Sequence, residues 1–115
     1  MRLPNVENAE ITETKIVGYL LSTTHRAGKS KAAFFMQFGF TPERWEDLAN
    51  ALKQHARDNE ITIEEKTIFG TRYVIEGRLE APDGRWLNVR SAWFIDYDGK
   101  VPRFVTAHPL RRRRV

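Results

Sequence analysis

The 115 residues contain no cysteine. A disulfide framework, a thiolate zinc site and thiol catalysis are therefore excluded, and the usage suits a reducing, cytoplasmic home. Long apolar runs are missing as well. No stretch approaches the roughly 18 apolar residues of a membrane span, and the start, MRLPNVENAEI, lacks the apolar core of a secretory signal. Histidine occurs three times, at His25, His55 and His108, and no two stand at metal-ligand spacing. Acidic neighbours such as Glu64 and Glu65 alternate across a strand rather than converge. Neither a metal nor an organic cofactor is expected. No Gly-x-Ser-x-Gly elbow is present to support a serine hydrolase.

What is present suffices for one folded domain. The hydrophobic share of 41% argues against disorder, and a chain of this length buries about two-thirds of its unfolded surface. The net charge of +4 overstates the basic character, because Arg111–Arg114 supply four of the nineteen cations. Without them fifteen cations face fifteen acids, so the body is neutral and 110–115 is a basic tail. Distribution is more telling than the sum. No acidic residue occurs between Glu13 and Glu43, whereas Lys15, Arg26, Lys29 and Lys31 fall inside that window.

The island contains HRAGKSKAAFF, residues 25–35, with the Gly-Lys-Ser that ends a phosphate-binding loop. The full loop needs a glycine five residues before Gly28, where this chain has Thr23. Gly-Lys-Ser alone therefore gives little support to an NTPase. A narrower reading survives: Ser30 caps a short helix over Lys31 to Phe38, closed by Gly39, and the helix start with Lys29 and Lys31 offers a place for an anion. The alternative is a solvated basic loop.

Elsewhere Thr12 is a cap for a helix carrying Ile16, Val17, Tyr19 and Leu20. Thr41-Pro42-Glu43 starts another, with Trp45, Leu48, Ala49, Leu52 and His55 or Ala56 on one face and an end near Asn59. Four β-rich runs follow: Ile61 to Phe69, Thr71 to Glu80, Arg85 to Asp96 and Val101 to Ala107. Their short links predict an antiparallel meander. The expected fold is α+β, with two or three N-terminal helices packed on one face of a four-stranded antiparallel sheet, as a single domain over 3–109.

Alternation assigns Leu87, Val89, Ser91, Trp93 and Ile95 to the helix side. Trp86, Asn88, Arg90, Ala92 and Phe94 then lie outside, beside Arg72, Val74, Glu76 and Arg78. Arginines mixed with aromatics suit phosphates and stacked bases; cross-strand Arg–Glu pairing for solubility is the competing reading. His55 falls on the apolar helix stripe and reads as a packed, hydrogen-bonded core histidine. His108 ends the last strand before Pro109, where turn capping competes with chemistry. His25 lies in a polar loop where packing does not demand imidazole, so a proton-transfer role is open to it.

The blocks LPN, YLLS, HRAGKSKAAFF, FGF, W-x-x-L-x-x-AL, FGTRYVIEG, PDG and VRSAWFID resemble a family of small bacterial domains of unknown function. The resemblance covers nearly all of residues 3–109, leaves the arginine tail outside, and places tyrosine where this chain has His108. It implies a part in toxin–antitoxin or polymorphic-toxin systems. The helices-then-strands layout is similar to the barnase, EndoU, colicin-tRNase and RelE-type ribonucleases.

Together these readings predict a metal-independent toxin ribonuclease acting on RNA, with tRNA and mRNA as the candidate classes, by attack of a ribose 2′-hydroxyl on phosphorus. His25 is the expected acid or base, and Lys29, Arg72 and Arg90 the cations that stabilise the phosphorane. Lys31, Tyr73, Trp86 and His108 are expected to bind substrate, with Tyr73 in a register that could bury it. A small antitoxin or immunity protein is the expected partner. The alternative is a non-enzymatic protein-binding module, either the antitoxin or immunity member of a pair or a phage-associated adaptor. A third reading is simple nucleic-acid binding through the tail.

Overall fold

Threonine caps open two of the three helices in the computed structural model, which describes residues 1–110; the arginine run 111–114 lies outside the described residues. Thr12 Oγ1 accepts the Lys15 N–H at 3.2 Å and begins α1, Glu13–Lys15. That helix continues as a wide π turn, Ile16–Leu20, in which the Leu21 N–H reaches the Ile16 carbonyl at 2.7 Å. Such turns are rare and recur at functional sites. Here the turn buries Ile16 and Leu20 and leaves Tyr19 half-buried beside them.

The second helix, α2, spans Lys29–Met36 and starts one residue before the expected cap. Ser30 is not the cap. Gly28 stands at the cap position without a side-chain bond, and His25 closes the turn before it, its Nδ1 accepting the N–H groups of Ala27 at 3.0 Å and Gly28 at 3.1 Å. Ser30 is left exposed in the first turn. Gly39, at φ 98°, follows the helix in the left-handed conformation that glycine tolerates best. Thr41 Oγ1 accepts the Arg44 N–H, and a single tight turn, Pro42–Arg44, leads into α3, Trp45–Asp58. Its apolar stripe buries Leu48, Ala49, Leu52, His55 and Ala56.

Strands β1 (Ile61–Lys66), β2 (Gly70–Glu80), β3 (Trp86–Asp96) and β4 (Arg103–Pro109) form one antiparallel sheet in the order β1-β2-β3-β4. This is the expected α+β meander. The last strand begins two residues late, at Arg103, and Pro102, which has no N–H to give to a ladder, offers its carbonyl to the Glu10 N–H. It also runs past Ala107, so His108 is not at a strand end but inside β4, opposite Arg90. Val105 is an extra residue in that ladder, since Ala92 pairs with Thr106 and Trp93 with Phe104. The bulge puts Phe104 and Thr106 on opposite faces of the strand.

The core lies between the helices and one sheet face. Ile16, Leu20, Phe35, Leu52, Ile75, Val89 and Trp93 are all fully buried there. Each such side chain is worth about 1.5–3 kcal/mol in transfer from water. A polar chain crosses this core. Trp93 Nε1 donates to Ser91 Oγ at 2.9 Å, Ser91 Oγ lies 3.2 Å from His55 Nδ1, and His55 Nε2 meets the Val89 carbonyl at 3.0 Å. All partners are satisfied if Ser91 donates to Nδ1 and the His55 proton sits on Nε2. His55 is thus the packed core histidine its register implied.

Candidate active site at the sheet edge

A cleft of about 670 Å³ opens where the π turn and the loop before α2 meet β4. Its walls include Thr12, Lys15, Tyr19, His25, Val105 and Thr106, and among the described residues no carboxylate lines it. Tyr19 is at its centre. Lys31 Nζ donates to the Tyr19 hydroxyl and also, at 3.0 Å, to Thr106 Oγ1, while the two hydroxyls stand 2.9 Å apart. Lys15 reaches the bulge, donating to the Val105 carbonyl at 3.1 Å, and its ammonium stands 5.7 Å from the Tyr19 ring centroid. His25 meets Tyr19 edge-on, with centroids 5.0 Å apart.

Burial of Tyr19 opposes its ionisation. The hydrogen bonds from Lys31 and Thr106, with the charges of Lys31 and Lys15, outweigh that effect and hold the phenol below its ordinary value of 10.0. His108, on β4 beyond Thr106, is held below 6.5 first by burial and then by the charges of Lys31 and Arg90, with Glu76 partly compensating. It is therefore a neutral imidazole at pH 7.

The structure brings His25, Lys31 and His108 to this edge and distributes the other anticipated residues elsewhere. Because His25 Nδ1 accepts two backbone N–H groups, the neutral ring carries its proton on Nε2 and presents a donor. The same contacts engage the Ala27 and Gly28 N–H groups just before α2, and the Lys29 N–H is taken by the His25 carbonyl at 2.9 Å. Lys29 is exposed and stands about 200° around α2 from Lys31, on a different side of the helix.

Arg90 pairs with Glu76 across β2 and β3, its Nε donating at 2.6 Å. Arg72 pairs with Glu65 at 3.2 Å, two strands in from β4. The outer face thus carries the arginines and aromatics the alternation assigned to it, but with cross-strand carboxylates beside Arg72 and Arg90. Arg78 stacks on Trp86 at 4.9 Å. Trp86 lines a different cleft of about 480 Å³, with Gln54 and Asp58.

Tyr73 corrects an expectation. It is 7% exposed, packed on the helix side of the sheet away from Arg72 and Arg90, because its position in β2 is in phase with Ile75. Burial raises its phenol, with the charge of Glu64 adding to that and a hydrogen bond with Thr71 opposing it. Sequence reasoning in turn missed Tyr19, Thr106 and Lys15 as cleft residues. The available signal was a tyrosine in the otherwise aliphatic run Ile16 to Leu21, next to the acid-free island.

Residues 2–111 match the profile of a domain of unknown function, DUF6883. The chain belongs to the DUF6883 family. Curated proteins offer no match. Among solved structures, the DUF6883 chain is similar to a chain of a contact-dependent growth inhibition toxin–immunity protein complex from Klebsiella pneumoniae 342. The two share 19% identity and superpose with a TM-score of 0.67, over 87% of this chain and 98% of the other. At that identity the likeness establishes a shared fold. No helix among the described residues of this DUF6883 domain is long and apolar enough to cross a membrane.

Proposed function

We propose that this DUF6883 domain, residues 3–109 with the basic tail 110–115, is a cytoplasmic toxin-type ribonuclease. It cleaves RNA without a metal by attack of a ribose 2′-hydroxyl on the adjacent phosphorus. The observation that carries the reading is the cleft, free of carboxylates among the described residues, in which Lys15 and Lys31 converge on Tyr19. Two ammonium groups there meet the charge of a scissile phosphate, and preorganised cations stabilise the phosphorane that forms. His25 donates Nε2–H to the phosphate, and His108 offers neutral imidazole from two residues beyond Thr106 on β4. Lys29, Arg90, Arg72 and the Arg78–Trp86 stack hold flanking RNA. The fold shared with a chain of a toxin–immunity complex supports placing the domain in such a pair.

A second reading has its own observation. Ile68, Phe69 and Tyr97 are 84%, 73% and 80% exposed, and the Tyr97 N–H donates to the Phe69 carbonyl at 2.9 Å, joining two turns at one end of the sheet. Large apolar side chains exposed side by side mark a protein contact. They favour a small antitoxin or immunity protein as partner, and a non-enzymatic module if catalysis is absent. Inducible expression in bacteria separates the two readings. Growth arrest with fragmented total RNA is expected, whereas normal growth and intact RNA from folded protein would leave the binding module.

A further inference from the structure

The following rests on the ribonuclease reading and concerns one residue of the same cleft. Tyr19, Lys31 and Thr106 form a closed triangle of polar groups. The ammonium of Lys31 only donates, so the remaining hydrogen bond, between the two hydroxyls, uses one of their two protons. With Tyr19 neutral, its O–H donates to Thr106. With the phenol proton gone, the Thr106 hydroxyl turns and donates back, and the phenolate oxygen holds two donors. In the ionised state every group of the triangle is satisfied without any heavy atom moving, whereas in the neutral state one hydroxyl proton points out of it.

The surroundings favour the same transfer. Lys15 of α1 and Lys31 of α2 flank the ring at 5.7 and 4.8 Å, His25 from the intervening loop stacks edge-on, and Thr106 closes the β4 side. His108 adds a neutral imidazole on β4. Among the described residues no carboxylate lines the cleft to oppose a phenolate. A tyrosine serving only as a strut does not need two flanking ammonium groups, whose mutual repulsion costs stability.

We propose that Tyr19 is a catalytic residue, the group that takes the proton from the attacking ribose 2′-hydroxyl. As the 2′-oxygen–phosphorus bond forms and the phosphorus–5′-oxygen bond breaks, the proton passes from the 2′-oxygen to Tyr19. Lys31 gives a proton to the departing 5′-oxygen, and Tyr19 returns its own to Lys31. The products are a 2′,3′-cyclic phosphate and a 5′-hydroxyl, and the protein ends unchanged.

The test compares Tyr19→Phe with the unmodified protein on RNA in EDTA under single turnover. Tyr19→Phe keeps the ring against His25 and removes only the oxygen. Cleavage should fall about a hundredfold or more, the usual scale of a lost acid or base, while affinity for a 2′-deoxy analogue changes less than about threefold. The rate should rise with pH along a limb below 10, absent in Tyr19→Phe and displaced upward in Thr106→Val. A strut would alter melting and affinity but leave that limb in place.

Difference absorbance titration of the unmodified protein against Tyr19→Phe reads the phenol directly and should find it ionising below the ordinary value of about 10. Cleavage by Tyr19→Phe within threefold of normal, or a phenol ionising at the ordinary value, would overturn this inference and leave the ribonuclease reading intact. Folded, unmodified protein with no cleavage at all would overturn that reading, and the proposed step with it. If Tyr19→Phe fails to fold, the Thr106→Val limb decides: an unmoved limb overturns the proposal.

Discussion

The α-carbon of Gly28 stands against the backbone carbonyl of Tyr19, so close that a β-carbon there would lie 2.0 Å from the oxygen. The glycine in Gly-Lys-Ser is thus explained by a helix-to-helix approach rather than by a phosphate. Replacing it forces α2 away from the π turn, and Lys31 with it. Gly28→Ala should cost about 1–3 kcal/mol, the scale of overpacking, and should reduce RNA cleavage. Urea denaturation checks the first part. A variant as stable as the parent would mean the approach is looser than described.

The buried imidazole of His55 predicts a pH dependence of stability. Burial is the largest influence and lowers its pKa below 6.5, against the hydrogen bonds with the Val89 and Gly77 backbone and the charge of Asp58. A depressed base binds fewer protons folded than unfolded, so its contribution is complete above 6.5 and is lost as pH falls through the folded value. The slope contributed by one proton is at most about 1.4 kcal/mol per pH unit. His108 shifts in the same direction and adds to the loss. Melting measured from pH 8 to 5 should fall on the acid side, less steeply in His55→Leu. An equal slope in that variant would assign the effect to other groups.

Arg72 and Lys31 should separate into two kinetic classes. The Arg72–Glu65 pair is partly exposed and worth less than about 1 kcal/mol to stability. Arg72→Ala is therefore expected to leave melting nearly unchanged, raise KM severalfold and leave kcat within about threefold. The reverse pattern, a lower kcat at constant KM, would bring Arg72 into the reacting centre.

The degree to which the molecule was legible in its residues follows from periodicity. Thr41-Pro42-Glu43 announced α3, and strict alternation in β3 sorted Val89, Ser91 and Trp93 to the core. His55 was readable for the same reason, since its register admits only burial. Alternation also carried the warning about Tyr73. Local rules failed where a side chain acts outside its own period. Ser30 has the composition of a cap, yet the helix already begins at Lys29, which puts Ser30 inside the first turn. Thr106 carried no signal, because only the Val105 bulge turns it out of phase with Phe104. Tyr19 was hidden by its helix: in an aliphatic stripe it reads as core, and only folding sets it against Lys31 and β4.

The most direct measurement is RNA cleavage by the purified protein in EDTA, beside a Lys31→Met variant of unchanged melting temperature. The expected result is cleavage that leaves a 2′,3′-cyclic phosphate and falls about a hundredfold or more in the variant. Intact RNA after incubation with folded protein, or equal cleavage by both, would contradict an active site built on Lys31 and Tyr19.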